Sequence, residues 1–586
     1  MSVALGNPTM SDTQPRSWLI RNGTVVDGTG KPAFRADVRA DDGRILEIGP
    51  NLAPRVGERV CDADGCYVSP GFIESHTHFD ATMWWAPDMD PLPGYGVTTT
   101  VMGNCGFSAA PVSADPKVKE EVINVFSFFE DIPAEPFRKI LAWDWHSWSE
   151  YKQSLTRRIR PAANYAAYVG HIPLRLAAMG VDAWNREATL TEVHCMCALL
   201  EDALQAGALG LSSNVMDHDA KGRPVPTLKA ADEEWAALFS VLARHPCTQF
   251  QVIVDTFIHL TAVEFTERLA RLLQPHRIRA QFAGLVPTLK FQSGIAPRLR
   301  ELFEGFKREG RDYWCGFAHV SLTSVVNIHN SLIFAQSDEF VWQEVVDAKT
   351  DEAKAILLRD PQWRGRARIS WDHKAHKFSP FGNPSTLLLL DSENGAGPVR
   401  ISLVDYARQL GVHPSDAMAE WLLKNGLRST VHMAPFEMLD DVVLELLKDP
   451  MTVGNISDVP AHGQMLCGAG ENVTLFSDWV SSRHAISVEE AVHVQTGKLA
   501  RYFNFSDRGE LRPGMRADVV VFRLDEIERR EMEKVYDVPD GRGGKIWRWT
   551  RPPAPVRLTL VNGEATFVEG HATTARPGVM LSPTVV

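Results

Sequence analysis

Short strand-like runs broken by turns occupy both ends of this chain, and between them strand-like and helix-like segments alternate for most of its length. Alternation of that kind calls for a parallel sheet covered by helices, because parallel neighbours need long crossover connections. Candidate strands in the middle are Gly71–Ser75, Val97–Gly103, Tyr165–Val169, Leu209–Asn214, Gln249–Val254, Arg279–Leu285, Tyr313–Ala318, Thr430–Met433 and Thr452–Ile456. These nine exceed the eight positions of a (β/α)8 barrel, so one is expected to be accessory. Thr189-Leu190-Thr191-Glu192 reads as a capping box opening a helix that Gly207 can end. About a hundred residues after Thr323, rich in aromatic and charged side chains, read as an insertion.

The ends read differently. Trp18–Ile20, Thr24–Val26, Ala36–Arg39, Ile45–Ile48 and Tyr67–Val68 are separated by turn signals, with Asn22-Gly23 and Asp42-Gly43 as hairpin-type dipeptides. Ala517–Phe522 and Val556–Gly563 repeat that texture, so one small β domain assembled from both ends is expected. The boundaries predicted are 1–68 and 505–586 for the β domain and 69–504 for the α/β domain, with the insertion at about 324–425.

Hydrophobic content of 44% is ordinary for a globular chain, and the net charge of −12 argues against nucleic acid as a partner. The eight cysteines are scattered, as in a reduced compartment. Residues 1–16 lack the apolar core of a signal peptide, and no stretch is long and apolar enough for a membrane span. A cytoplasmic protein with no membrane partner, acting on a small molecule and forming a homo-oligomer, is expected.

Four metal-ligand side chains fall at ends of predicted strands. His76 and His78 follow Gly71–Ser75, one residue apart, where extended backbone turns both imidazoles to one side. Cys105 follows the second strand among glycines, and Asp458 follows the last. Imidazole, thiolate and carboxylate together form a zinc shell. Each residue alone has an ordinary structural explanation; four at strand ends point to a metal.

These segments resemble the amidohydrolase superfamily, in particular its D-aminoacylase-like branch of N-acyl-D-amino-acid deacylases. The resemblance covers nearly the whole chain. It rests on Ser69–Ile73 with His76-Thr77-His78, on Gly103–Pro111, on Val169-Gly170-His171, on Gly207–Ser212, on Ser457-Asp458 and on Arg508–Phe522. Gly103-Asn104-Cys105-Gly106 is the most specific of these, since most amidohydrolases bridge their metals with a lysine. The resemblance implies a TIM (β/α)8 barrel with a small β-sandwich, and zinc held by His76, His78, Cys105 and Asp458. One zinc is expected, with a second ion left open. The activity implied is hydrolysis of a non-peptide C–N (amide) bond by metal-activated water, with Asp458 as general base and His171 touching substrate. Gln251, read from its own chemistry, would donate a hydrogen bond to substrate or simply satisfy backbone.

Two departures bear on substrate. The branch carries histidines on strands five and six, where this chain has Gln249–Asp255 and Ala280–Gly284. The lysine that would follow the strand-six histidine is also missing, so the free D-amino-acid substrate class does not carry over. Asp217, His218, His319, His432 and His462 are the nearest candidates to fill the gap, each with a loop or supporting role as its alternative. Trp84, Trp85, Trp143, Trp145 and Trp148 would line an aromatic pocket or simply pack. A metal-dependent C–C hydrolase or lyase, and a non-catalytic scaffold, stand as alternatives to amide hydrolysis.

Overall fold

A computed structural model describes residues 17–219, 223–256, 260–288, 294–321, 324–329, 341–376, 387–433, 437–454, 457–461 and 463–584. Parallel strands form its centre. Phe72–Glu74, Val97–Met102 and Asn164–Ala167 make one ladder. After Tyr168, Val169–Gly170, Gly210–Asn214, Gln249–Ile253, Arg279–Leu285, Tyr313–Phe317 and Thr452–Val453 make the next, in that order. Val97–Met102 and Gly210–Asn214 are buried along their whole length, as strands covered on both faces must be. The last strand region returns to the first: Ser75 Oγ donates to Gly454 O at 3.0 Å, and Asp458 N–H to His76 O at 3.1 Å.

Helices cover the outside through apolar faces. Leu190–Gln205 is typical, burying Val193, Met196, Leu200 and Leu204. Its capping box is formed in both directions between Thr189 and Glu192, and Gly207, at φ +96°, takes the left-handed turn that follows it.

Thr430–Met433 is the accessory strand. It pairs antiparallel with Ser324–Val326 and with Leu387–Asp391, in a four-stranded sheet that Ile401–Ser402 completes. A four-residue apolar run reads alike in either kind of sheet, and pairing decides it. This sheet spans Ser324 to Met433, beyond the bound of about 425 predicted for the insertion. Helices Asp351–Arg359, Leu403–Leu410 and Pro414–Asn425 lie with it. Trp342, Trp363, Trp371 and Trp421 centre a core of its own, separate from the main one. Residues 322–323, just before the predicted start of the insertion at about 324, lie outside the described residues, as do residues 455–456 of the predicted last strand.

The chain ends meet in one sheet of nine strands. Val519–Phe522 pairs antiparallel with Tyr67–Pro70, placing Val519 opposite Pro70, and Ile20, Val38, Val68, Val519, Val521 and Leu560 share one interior. Asp42-Gly43 makes the expected tight turn, with φ +44° and +76°. Asn22-Gly23 does not. Trp18–Val25 runs on as a single strand, and the dipeptide is a bulge in its pairing with Phe34–Asp41. Asn22 is fixed there by its N–H to Asp37 Oδ1 at 2.7 Å and its Nδ2 to Asp62 Oδ1 at 2.9 Å. The same dipeptide chemistry that suits a hairpin, a residue tolerant of positive φ, also suits a bulge.

Candidate metal centre

The segment after the first parallel strand stays extended because both neighbours hold it. Thr77 N–H donates to Val101 O at 2.8 Å on one side, and His78 N–H to Val459 O at 2.9 Å on the other. His76 and His78 therefore point together, their ring centroids 5.4 Å apart, with both side chains buried.

Cys105 reaches the same place through a strained turn. Its own φ is +55°, between Gly103 at +74° and Gly106 at +75°. A side chain on Gly103 would put Cβ 2.5 Å from Tyr168 O, so only glycine fits. Gln251 Oε1 accepts the Cys105 N–H at 3.1 Å, and Ser212 Oγ accepts that of Gly106 at 3.1 Å. Asp458 is the second left-handed residue at the site, at φ +61°. Next to it, the Ser457 hydroxyl donates to the buried Glu74 carboxylate, which ties this loop to the strand that carries the histidines. Non-glycine residues in this conformation cost energy, and two of them carrying ligand-type side chains mark a functional site.

The ligand-type atoms are close. His76 Nε2 lies 3.1 Å from Cys105 Sγ and 3.6 Å from Asp458 Oδ1. His78 Nε2 lies 2.9 Å from Asp458 Oδ1. The four residues singled out in the sequence are thus brought together. A fifth joins them that sequence reasoning missed: Glu130, whose Oε2 is 3.6 Å from His78 Nε2. It sits just past the helix Pro116–Phe129, far from any histidine motif, and no local pattern marks it.

Electrostatics set these groups against each other. Burial pushes the His76 imidazole down to about 4, although Asp458 pulls the other way. Burial would also lower His78, but the Glu130 and Asp458 carboxylates outweigh it and hold the ring at about 9. Burial raises the Cys105 thiol well above its usual range, and Glu130, Asp458 and Asp217 add to the shift. Ionising that thiol among these carboxylates calls for a cation beside it. Imidazole nitrogens, sulfur and carboxylate oxygens within 4.8 Å of one another, in the sets His76–His78–Cys105 and His78–Glu130–Asp458, are the donors zinc takes. The residues fit a metal.

The other candidates fall as follows. Gln251 is at the site through its contact with Cys105, and its buried Nε2 has no hydrogen-bond partner among the described residues. His171 is fully buried, with Nδ1 3.1 Å from Ser213 Oγ and Nε2 2.7 Å from Glu234 Oε1, and Arg175 pairs with the same carboxylate. Asp217 accepts from Asn214 Nδ2 at 2.6 Å. His218 Nδ1 bonds to Asp219 O at 3.0 Å. His319 Nε2 donates to Glu471 O at 3.1 Å. His432 lies in the antiparallel sheet of the insertion, and His462 is outside the described residues. Trp84, Trp143 and Trp145 stack on one another in the main core.

A parallel α/β scaffold presenting two imidazoles, a thiol and carboxylates at its strand ends is that of a metal-dependent hydrolase. The Amidohydrolase family model matches residues 59–285 and 402–567, and the chain belongs to that family. The N-acyl-D-glutamate deacylase of Alcaligenes xylosoxydans xylosoxydans is 35% identical over 575 residues, covering 96% of each chain. The N-acyl-D-aspartate deacylase of the same organism is 28% identical over 581 residues, covering 97% of this chain and 95% of its own. Among solved structures, D-aminoacylase superposes with a TM-score of 0.64 at 23% identity, covering 96% of this chain and 99% of that one. The N-acyl-D-glutamate deacylase of Bordetella bronchiseptica, solved with zinc and a phosphonate inhibitor, gives 0.63 at 23% identity and the same coverage. The unmatched stretch between 285 and 402 overlaps much of the insertion predicted at about 324–425. No helix among the described residues is long and apolar enough to cross a membrane.

Proposed function

We propose that this enzyme hydrolyses the amide bond of a small N-acyl compound, on a (β/α)8 barrel that carries a β-sandwich at its side. His76, His78, Cys105 and Asp458 would hold zinc, which when bound makes water acidic enough to ionise near neutral pH and polarises the scissile carbonyl. Asp458 carries the proton traffic. It touches both imidazoles, and its side chain is 24% exposed against 0% for His78 and 4% for His76, so it is the contact that solvent reaches. Its carboxylate takes the proton of the attacking water and delivers it to the leaving nitrogen, which departs as a neutral amine.

Gln251 supports this in two ways. Its carbonyl oxygen holds the Cys105 turn in place, and its amide N–H groups, without a partner among the described residues, are free to bond a substrate oxygen. His171, expected to touch substrate, has both ring nitrogens engaged by Ser213 and Glu234, so it would position those neighbours instead of bonding substrate itself.

The observation that carries the reading is the contact of one solvent-reached carboxylate with both buried imidazoles. Two deacylase relatives that span nearly the whole chain make N-acyl-D-amino acids the first compounds to assay. N-acyl amines without a carboxylate belong beside them, because strand six lacks the lysine. Asp458→Asn is expected to lower kcat by about 10²–10⁴-fold while the fold persists. Turnover in labelled water must place solvent oxygen in the acid product. Near-wild-type kcat in the variant would remove Asp458 as the base, and product free of label would remove hydrolysis.

A further inference from the structure

Glu130 is the buried carboxylate that the reaction just described leaves without a task. Its residue is 4% exposed, yet it ends 3.6 Å from the His78 nitrogen that also faces Asp458. Three features of the fold put it there. Helix Pro116–Phe129 ends with the Glu130 N–H bonded to Phe126 O at 3.0 Å. Phe129 and Phe126 pack on Phe107, with centroids 5.5 and 5.9 Å apart, and Phe107 lies 6.1 Å from the His78 ring. Asp131, left-handed at φ +49°, accepts the Gln464 N–H at 3.2 Å, which fastens this helix end to the loop beyond Asp458.

The spacing is that of a ligand. Nitrogen and oxygen donors held tetrahedrally at 2.0–2.2 Å from one zinc lie roughly 3.4 Å from each other. His78 Nε2 to Glu130 Oε2 and His76 Nε2 to Asp458 Oδ1 are both 3.6 Å. His78, Glu130 and Asp458 place one donor atom each within 4.8 Å of the other two, as His76, His78 and Cys105 do. The two triplets share His78. Strands Gln249–Ile253 and Arg279–Leu285 contain no histidine to add to these donors.

From this we propose that Glu130 is a metal ligand, so that the centre takes a donor from the helix end after the second strand and none from a histidine on strands five and six. The proposal rests on the metal-dependent reading above and concerns only which residues hold the ion. His78, Glu130 and Asp458 would hold the cation, whose charge would offset the crowding of Glu130, Asp458 and the Cys105 sulfur in one buried space.

The test is metal binding measured apart from turnover. Wild type, Glu130→Gln and Glu130→Ala are stripped with chelator and checked for an intact fold by circular dichroism and melting. Zinc affinity is then read by competition with a chromophoric chelator, zinc content by elemental analysis, and the ligand set by visible absorption of the cobalt-substituted proteins. Expected are zinc binding weakened at least ~10-fold in both variants, or one equivalent lost, and a changed cobalt ligand-field band with the sulfur-to-cobalt band of Cys105 retained. Affinity, content and spectrum equal to wild type in both variants would overturn the proposal and leave the proposed hydrolysis standing. Wild-type protein that takes up no zinc would overturn the metal-dependent reading together with it.

Discussion

Glu471 shows how far the influence of the centre extends among single residues. Its carboxylate is buried, with Arg529 Nη1 3.8 Å away, and burial raises it to about 8 from an ordinary 4.5. Arg529 and Arg551 pull it down, but Glu74 and Asp458 add to the rise. The folded protein therefore holds this proton more tightly than the unfolded chain does. That stability is complete below about pH 4.5 and drains away as the pH climbs towards 8. In chelator-treated protein, wild type should lose on the order of 3 kcal/mol relative to Glu471→Gln between about pH 5 and pH 8, as each pKa unit is worth about 1.4 kcal/mol. Urea denaturation at both pH values measures it, and a constant gap between the two proteins refutes it. His319 behaves oppositely. Burial lowers its imidazole to about 4 from 6.5, so its contribution is present above 6.5 and fails as the pH falls through 4.

Among elements, the helix Leu190–Gln205 is the cleanest case of local chemistry agreeing with the fold. Thr189→Ala removes the side chain that accepts the Glu192 N–H and should cost about 1 kcal/mol, with Thr189→Ser restoring most of it. Equal denaturation midpoints for wild type and Thr189→Ala would show that the cap contributes nothing. That helix, the parallel strands, and the positions of His76, His78, Cys105 and Asp458 were legible in the sequence, because apolar runs ending in turns announce strand ends. Thr430–Met433 was not, since its partners Ser324–Val326 and Leu387–Asp391 can be known only from pairing. Nor was the Asn22-Gly23 bulge, whose backbone conformation matches that of a turn. Glu130 was illegible for a different reason. It owes its place to packing of Phe126 and Phe129 on Phe107, and no spacing within the chain records that contact.

At the scale of the molecule, Asp518 joins the two parts. It pairs with Arg508, the two side chains being 3% and 4% exposed, and accepts from Asn164 Nδ2 of the parallel sheet at 3.2 Å and from the Asn562 N–H at 2.7 Å. Asp518→Asn removes the buried partner of Arg508 and leaves it only the half-exposed Asp507 carboxylate at 3.1 Å, so the change should cost about 3 kcal/mol. Calorimetry is expected to show the terminal sheet and the parallel sheet still melting together. Two separate transitions in the wild type would contradict so shared an anchor. The pairing of Val519 with Pro70 has a further consequence, for synthesis. About 450 residues lie between these partners, and at roughly 5–20 residues per second the ribosome takes tens of seconds to make them. Throughout that interval Tyr67–Pro70 is a nascent strand with an open edge, waiting for a partner not yet translated. Slower elongation therefore lengthens the time during which this edge can capture the wrong chain.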